Sequence, residues 1–99
     1  MIIRSQDAPI TQAGTGVTRQ VLGHDSELRL GRVTCEKGAV GYVHAHPHRQ
    51  VTFIERGEFD FTVDGLTTRV VPGDSVFVPP DVPHGTVAVE AGALIDVFA

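Results

Sequence analysis

A chain of 99 residues holds one hydrophobic core and is too short for two domains joined by a linker, so residues 1–99 are expected to form a single domain. Fifteen Val and nine Thr against a single Lys, with eleven Gly and six Pro, favour strands and tight turns over helices. The formal charge of −4 and seven arginines scattered from Arg4 to Arg69 speak against nucleic-acid binding, and no run nears the roughly 18 apolar residues of a membrane span.

The first ten residues, MIIRSQDAPI, lack the apolar stretch of a secretion signal, which makes the cytoplasm the expected location. Cys35 is the only cysteine, which agrees with a reducing compartment. Its neighbours Thr34 and Glu36 offer no base or cation to activate a thiolate, so it is read as a small half-buried residue.

Strand signals begin at Val17–Leu22 and Leu28–Cys35, separated by GHDSE, with Gly31 marking a bulge or a close backbone approach. CEKGAVG forms a turn before the histidine-rich VHAHPH. Val51–Ile54 leads through Glu55, Arg56 and Gly57 into a run where Phe59, Phe61 and Val63 alternate with Asp60, Thr62 and Asp64, the period of a half-buried strand. Asp64-Gly65 reads as a tight hairpin turn into Leu66–Val71, and Pro72-Gly73-Asp74 as a second turn before the short strand Ser75–Val78. PPDVP is a rigid loop. Two final runs, Thr86–Glu90 and Ala93–Phe98, are joined through Ala91-Gly92. Eight or nine short strands with no amphipathic helix predict an all-β jelly roll or small barrel. So small a domain buries only about 60–65% of its unfolded surface, and a second copy covering a sheet edge makes a homodimer the expected assembly.

Four of the five histidines fall in two places: His44, His46 and His48 in VHAHPH, and His84 in PPDVPHG. Residues two apart on a strand share a face, so His44 and His46 can converge on one ion at about 2.0–2.2 Å. One strand cannot surround a metal, so further ligands must come from elsewhere. Gln50 follows past the Pro47 turn, and His84 opens a later strand behind a proline-stiffened loop. Three nitrogens and one oxygen suit a divalent first-row transition metal, nickel, zinc, iron, manganese or copper, with positions left for water or substrate. Pro47 bends the chain before His48, which is read as lining the pocket mouth. His24, in LGHDSE, is read as solvated or structural.

The spacing Gly38, five residues, His44, one, His46, three, Gln50, six, Gly57 resembles the first motif of the cupins, with Gln50 where Glu is more usual. Gly73, five residues, Pro79, one, Asp81, two, His84 resembles the second, with Asp81 where a Gly is usual and Ala88 where an Asn is usual. The two motifs occupy 38–57 and 73–88. The resemblance implies the cupin (RmlC-like) jelly-roll barrel and a metal site of His44, His46, Gln50 and His84. A neutral ligand set leaves the ion its full charge, so bound water or a substrate oxygen is polarised more strongly.

Strand parity makes Gln50, Thr52 and Ile54 the inward set of one strand and His84, Thr86 and Ala88 that of another, and it puts Leu94, Asp96 and Phe98 on one face of the last strand. Parity alone leaves open whether Asp96 faces inward or whether Ile95 and Val97 do. VLGHDSEL, EKGAVG, HAHPHRQ, PGDS, PPDVPHG and the final IDVF resemble the small cupins of the KdgF type, which ketonise unsaturated uronates in pectin and alginate breakdown. That resemblance implies active-site roles for Asp96, moving a proton, and Phe98, a flat wall. It also implies an arginine for the uronate carboxylate, supplied beyond the DVF element in that group. Here Arg49, Arg56 or an arginine of a second subunit is the expected substitute. The expected activity is metal-dependent isomerisation of a 4,5-unsaturated uronate or other small acid. The alternatives are a non-catalytic cupin binding a sugar or acid, and a dioxygenase or lyase.

Overall fold

Short strands with one apolar face need partners, and the computed structural model, which describes residues 1–99, supplies them by antiparallel pairing throughout. After a 3-10 turn at Ser5–Asp7 come β1 (Thr11–Gly14), β2 (Val17–His24), β3 (Arg29–Cys35), β4 (Val40–His44), β5 (Gln50–Val63), β6 (Leu66–Val70), β7 (Ser75–Val78) and β8 (His84–Phe98). The strands run in the order β1-β2-β3-β8-β5-β6, with β4 added to β8 and β7 to β5. No helix is long and apolar enough to cross a membrane.

The strands β5 and β8 lie side by side along most of their length, and each changes its outer neighbour halfway. The first part of β5 pairs with β7 and its later part with β6. The early part of β8 pairs with β4 and its later part with β3. One ribbon thus serves both sheets of an all-β jelly roll. The sequence suggested two separate strands at each of these places, broken by turn residues. Instead the chain continues through a bend, where the register slips between Ile54 and Phe59. Gly57 has φ +82°, and a Cβ there would lie 2.6 Å from the Ala91 carbonyl oxygen. A Cβ on Gly92 would collide with the Arg56 carbonyl oxygen. Two backbones this close admit only glycine, so these glycines mark a crossing rather than a turn.

The expected hairpin at Asp64-Gly65 forms with both residues at positive φ, as a two-residue primed turn requires. Gly31 is the close approach, its absent Cβ 3.2 Å from the Gln20 carbonyl oxygen. The bulge itself falls opposite, between Val21 and Gly23.

The core gathers Val33, Cys35, Ile54, Phe59, Phe61, Val70, Val78, Ala88 and Leu94. Ile54, Phe59 and Val78 are fully buried, each contributing roughly 1.5–3 kcal/mol against exposure. Cys35 is a free, buried thiol. Burial pushes its pKa up, which disfavours the thiolate. The alternation that buries Ile54 and Leu94 also turns Gln50, Thr52 and Asp96 into the barrel, which settles the facing of Asp96.

Candidate metal centre

His44 ends β4 and His84 begins β8, and the two are register partners. His46 lies in the loop leading to Gln50, the first residue of β5. The imidazole centroids of His44 and His46 stand 4.5 and 4.8 Å from that of His84. One nitrogen from each of the three rings lies within 4.8 Å of the others. Bonds of about 2.0–2.2 Å to one ion keep donors within roughly 4.4 Å of each other, a small side-chain adjustment away.

The tautomers follow from the partners. His44 Nδ1 meets the Tyr42 carbonyl at 2.9 Å, His84 Nδ1 the Val82 carbonyl at 2.9 Å, and His46 Nδ1 the His48 carbonyl at 3.0 Å. A carbonyl can only accept, so each Nδ1 carries the proton and each Nε2 presents a lone pair. The chain also holds the loops in place. The Asp81 amide donates to the His46 carbonyl at 2.8 Å, with Asp81 at φ +64°. That left-handed conformation explains why this motif position usually carries Gly.

Gln50 completes the set. Its Nε2 donates to Thr52 Oγ1 at 2.8 Å, and Thr52 Oγ1 donates to Asp96 Oδ1 at 2.5 Å. With Asp96 ionised, the single Thr52 proton must go to the carboxylate, which fixes the Gln50 amide with Oε1 toward the histidines. Gln50 Oε1 therefore stands 2.9 Å from His46 Nε2, two lone pairs facing each other. Nearby, His84 Nε2 is buried without any partner. An orphaned buried acceptor and an acceptor facing an acceptor both call for a cation, and the donor types fit a first-row divalent metal. Burial, aided by His44 and His46, lowers the His84 pKa against the opposing Val82 bond and Asp96. The ring is thus neutral and free to bind.

Asp96 pairs with Gly31 on one side and Thr52 on the other. Burial raises its pKa, and the Thr52 bond, Arg19, His84 and Arg29 pull the other way. Phe98 pairs with Gln50 and sets its ring against His46, centroids 5.5 Å apart at 70°. A cavity of about 170 Å³ opens beside His44, Gln50, His84, Asp96 and Phe98. It is smaller than the ~300–1,000 Å³ of pockets for drug-sized molecules. An outer cleft of about 360 Å³ runs past Arg29, His46, His48 and Phe98.

The cupin-domain family profile matches residues 31–98. The chain is a cupin. Pectin degradation protein KdgF of Dickeya dadantii is 30% identical to it over 95 residues, covering 94% of this chain and 86% of that protein. An RmlC-like cupin from Shewanella frigidimarina superposes with a TM-score of 0.95 at 44% identity, over 98% of this chain and 87% of the other. The structure of KdgF from a Halomonas species superposes at 0.93 with 29% identity, over 99% and 91%. Family, fold and a three-histidine cluster together support a metal-binding cupin.

The structure gathers His44, His46, Gln50 and His84 at one point, with Asp96 and Phe98 beside it. His48 lines the outer cleft, and its carbonyl, not its ring, serves the cluster. His24 is exposed at the end of β2. Arg49 and Arg56, the expected carboxylate partners, do not border the inner cavity. Arg49 pairs its backbone with Ala99 and faces Val51 and Phe77, and Arg56 lies beside Gln12 and Thr18. Both are correctly placed only for the outside of the barrel. The arginines that do approach the site are Arg19, on the cavity, and Arg29, whose guanidinium lies 4.9 Å from the centroid of Phe98. The missed signal was parity: Arg29 shares a strand face with Val33, and Arg19 with Val17.

Proposed function

We propose that this cupin isomerises a 4,5-unsaturated uronate monomer to its linear keto form, with His44, His46, Gln50 and His84 as ligands of a divalent metal. The observation that carries the reading is Asp96. Its pKa is raised by burial, and it is tied through Thr52 to Gln50 on the wall of the inner cavity. The pectin-degradation name of the Dickeya relative supports a uronate as the substrate. A metal held by this neutral set would supply polarisation of a substrate oxygen.

The remaining chemistry is proton movement. Asp96 takes the proton from the anomeric hydroxyl as the C1–O5 ring bond breaks, giving an aldehyde at C1 and an enolate across C4, C5 and O5. The same carboxyl returns a proton to C4, leaving a ketone at C5. Nothing is oxidised or reduced, and the formula is unchanged. A carboxyl with a raised pKa suits both halves. Phe98, braced by His46, gives the ring a flat wall.

Loss of the conjugated-alkene absorbance of unsaturated galacturonate, with product mass equal to substrate mass, is the expected result for metal-loaded protein. A chelator should abolish it. No consumption of the monomer under any metal loading would overturn the function, and equal rates for wild type and Asp96→Ala would overturn the role of Asp96.

The working unit we propose is a cytoplasmic homodimer. Leu30, Val51 and Phe77 are exposed on the outer sheet face, with Phe53 beside them, and Leu30, Val97, Val51 and Phe77 pair in one row across four strands. Such a stripe suits a second copy. The free Cys35 thiol suits a reducing compartment. Light scattering should give twice the monomer mass, and Phe53→Asp should halve it.

A further inference from the structure

The inner cavity has a cation that the metal cluster and Asp96 do not account for. On β2, Val17 packs against the core, and Arg19 is two residues on, so both side chains leave the strand on the same face. The register partner of Arg19 is Val33, which is buried, and the partner of Val33 is the buried Leu94. The row Arg19–Val33–Leu94 therefore lies on the inner surface, one row from Asp96. There Arg19 borders the same cavity as His44, Gln50, His84 and Asp96.

Arg19 is exposed and also borders an outer groove that holds Glu36 and Lys37, but it pairs with neither, and the remaining charges are engaged or face elsewhere. Arg32 pairs with Glu55, Lys37 with Glu90, and Arg69 with Glu58 and Asp60. Arg29 lies over Phe98 and faces the outer cleft. Arg19 joins no ion pair, and its guanidinium donates no hydrogen bond within the chain. It acts on the carboxyl of Asp96 only through its field. A guanidinium carries five N–H donors in a planar fork matched to a carboxylate, and here all five are free at the rim of a site whose metal ligands are uncharged.

We propose that Arg19 binds the carboxylate of the substrate and is the residue by which the cavity selects sugar acids over neutral sugars. This rests on the uronate reading above and adds the residue that recognises the acid. The substrate would lie between Arg19 and the metal cluster, with Phe98 along its ring and Asp96 at its reacting end.

D-Galacturonate and D-galactose differ at the C6 carboxylate, and both lack the 4,5-double bond, so neither turns over. Calorimetric titration of each into nickel-loaded protein should show galacturonate binding about tenfold or more tightly than galactose. Arg19→Met should bring galacturonate down to the galactose level while nickel stoichiometry stays at the wild-type value, with Arg19→Lys in between. Arg19→Gln gives a second, polar replacement should the methionine variant fold poorly. If wild type does not distinguish the two sugars, or if Arg19→Met and Arg19→Gln still do, the assignment is overturned. A protein that discriminates through Arg19 but leaves the unsaturated uronate unconsumed refutes the isomerase reading and keeps this one. Consumption that Arg19→Met leaves with unchanged KM and kcat, together with retained discrimination, does the reverse.

Discussion

Replacing Thr52 with valine keeps the shape of a fully buried side chain and removes one oxygen that serves two partners. The Gln50 amide loses its acceptor at 2.8 Å and the Asp96 carboxylate its donor at 2.5 Å. A buried polar group left unsatisfied costs about 1–3 kcal/mol. Gln50 is only 5% exposed and bears most of that cost, while Asp96, intermediate in exposure, bears the smaller share. A total of about 2 kcal/mol follows, a fall in Tm of roughly 8–16 °C for a domain of this size. The larger effect falls on the metal. Without Thr52, nothing orients Gln50 Oε1 toward the histidines, and losing such an outer partner typically weakens metal binding about 10–100-fold. Competition against a chromophoric chelator measures this directly for nickel and zinc, and thermal unfolding of the metal-free protein measures the stability. Thr52→Ser keeps the hydroxyl and should retain metal affinity while losing only the packing of a methyl. If folded Thr52→Val binds metal as tightly as wild type, the Gln50–Thr52–Asp96 chain does not position the ligand, and the reasoning fails.

Three further outcomes are expected. His84→Ala should abolish stoichiometric metal uptake, while His48→Ala should leave it intact, because only the His48 backbone carbonyl meets His46; elemental analysis of both purified variants checks this. Asp96 has a folded pKa above its unfolded value near 3.8. Its favourable contribution is therefore present below that value and is lost as pH rises through the folded pKa. Asp96→Asn, neutral throughout, should gain in Tm relative to metal-free wild type between acid and neutral pH, and a constant or narrowing difference would contradict the burial of this carboxyl. Gly92→Ala places a methyl on the Arg56 carbonyl oxygen and should cost more than about 3 kcal/mol, seen as loss of soluble protein or a large fall in Tm, whereas Gly65→Asn, in a turn with open space around its Cα, should be tolerated.

Local chemistry made much of this molecule legible. Alternation at Phe59, Phe61 and Val63 and the Asp64-Gly65 turn are short-range signals, and both survive in the fold. The spacing of His44, Gln50 and His84 is legible for a different reason: the two motifs carry the geometry of β4, β5 and β8 with them. What escaped depends on contacts between distant segments. Nothing near Gly57 or Gly92 announces that the two backbones cross, because each is the other's reason for being glycine. The recruitment of Arg19 rather than Arg49 or Arg56 follows from which face of β2 meets the core. Parity from Val17 gives that answer only after Val17 is known to point inward. Likewise Asp96 could be placed only once Leu94 was seen to be buried.

The exchange of the usual glutamate for Gln50 looks, from sequence, like a matter of metal charge alone. The hydrogen bonds add a second reason. A carboxylate at position 50 has no proton to offer, so Thr52, with one hydroxyl proton, would face two acceptors and could satisfy only one of them. Either Asp96 or the ligand would be left bare in a site that burial already makes unfavourable for charge. The amide resolves this by donating to Thr52 on one side and presenting its oxygen to the histidines on the other, which frees the Thr52 proton for Asp96. Gln50, Thr52 and Asp96 are thus one choice made across two paired strands, β5 and β8. The chain's formal charge of −4 therefore says little about the cavity. Its candidate ligands are neutral, Asp96 is the one carboxyl on its wall, Arg19 borders it and Arg29 lies over Phe98 at the outer cleft, an arrangement that favours an anion inside an acidic protein.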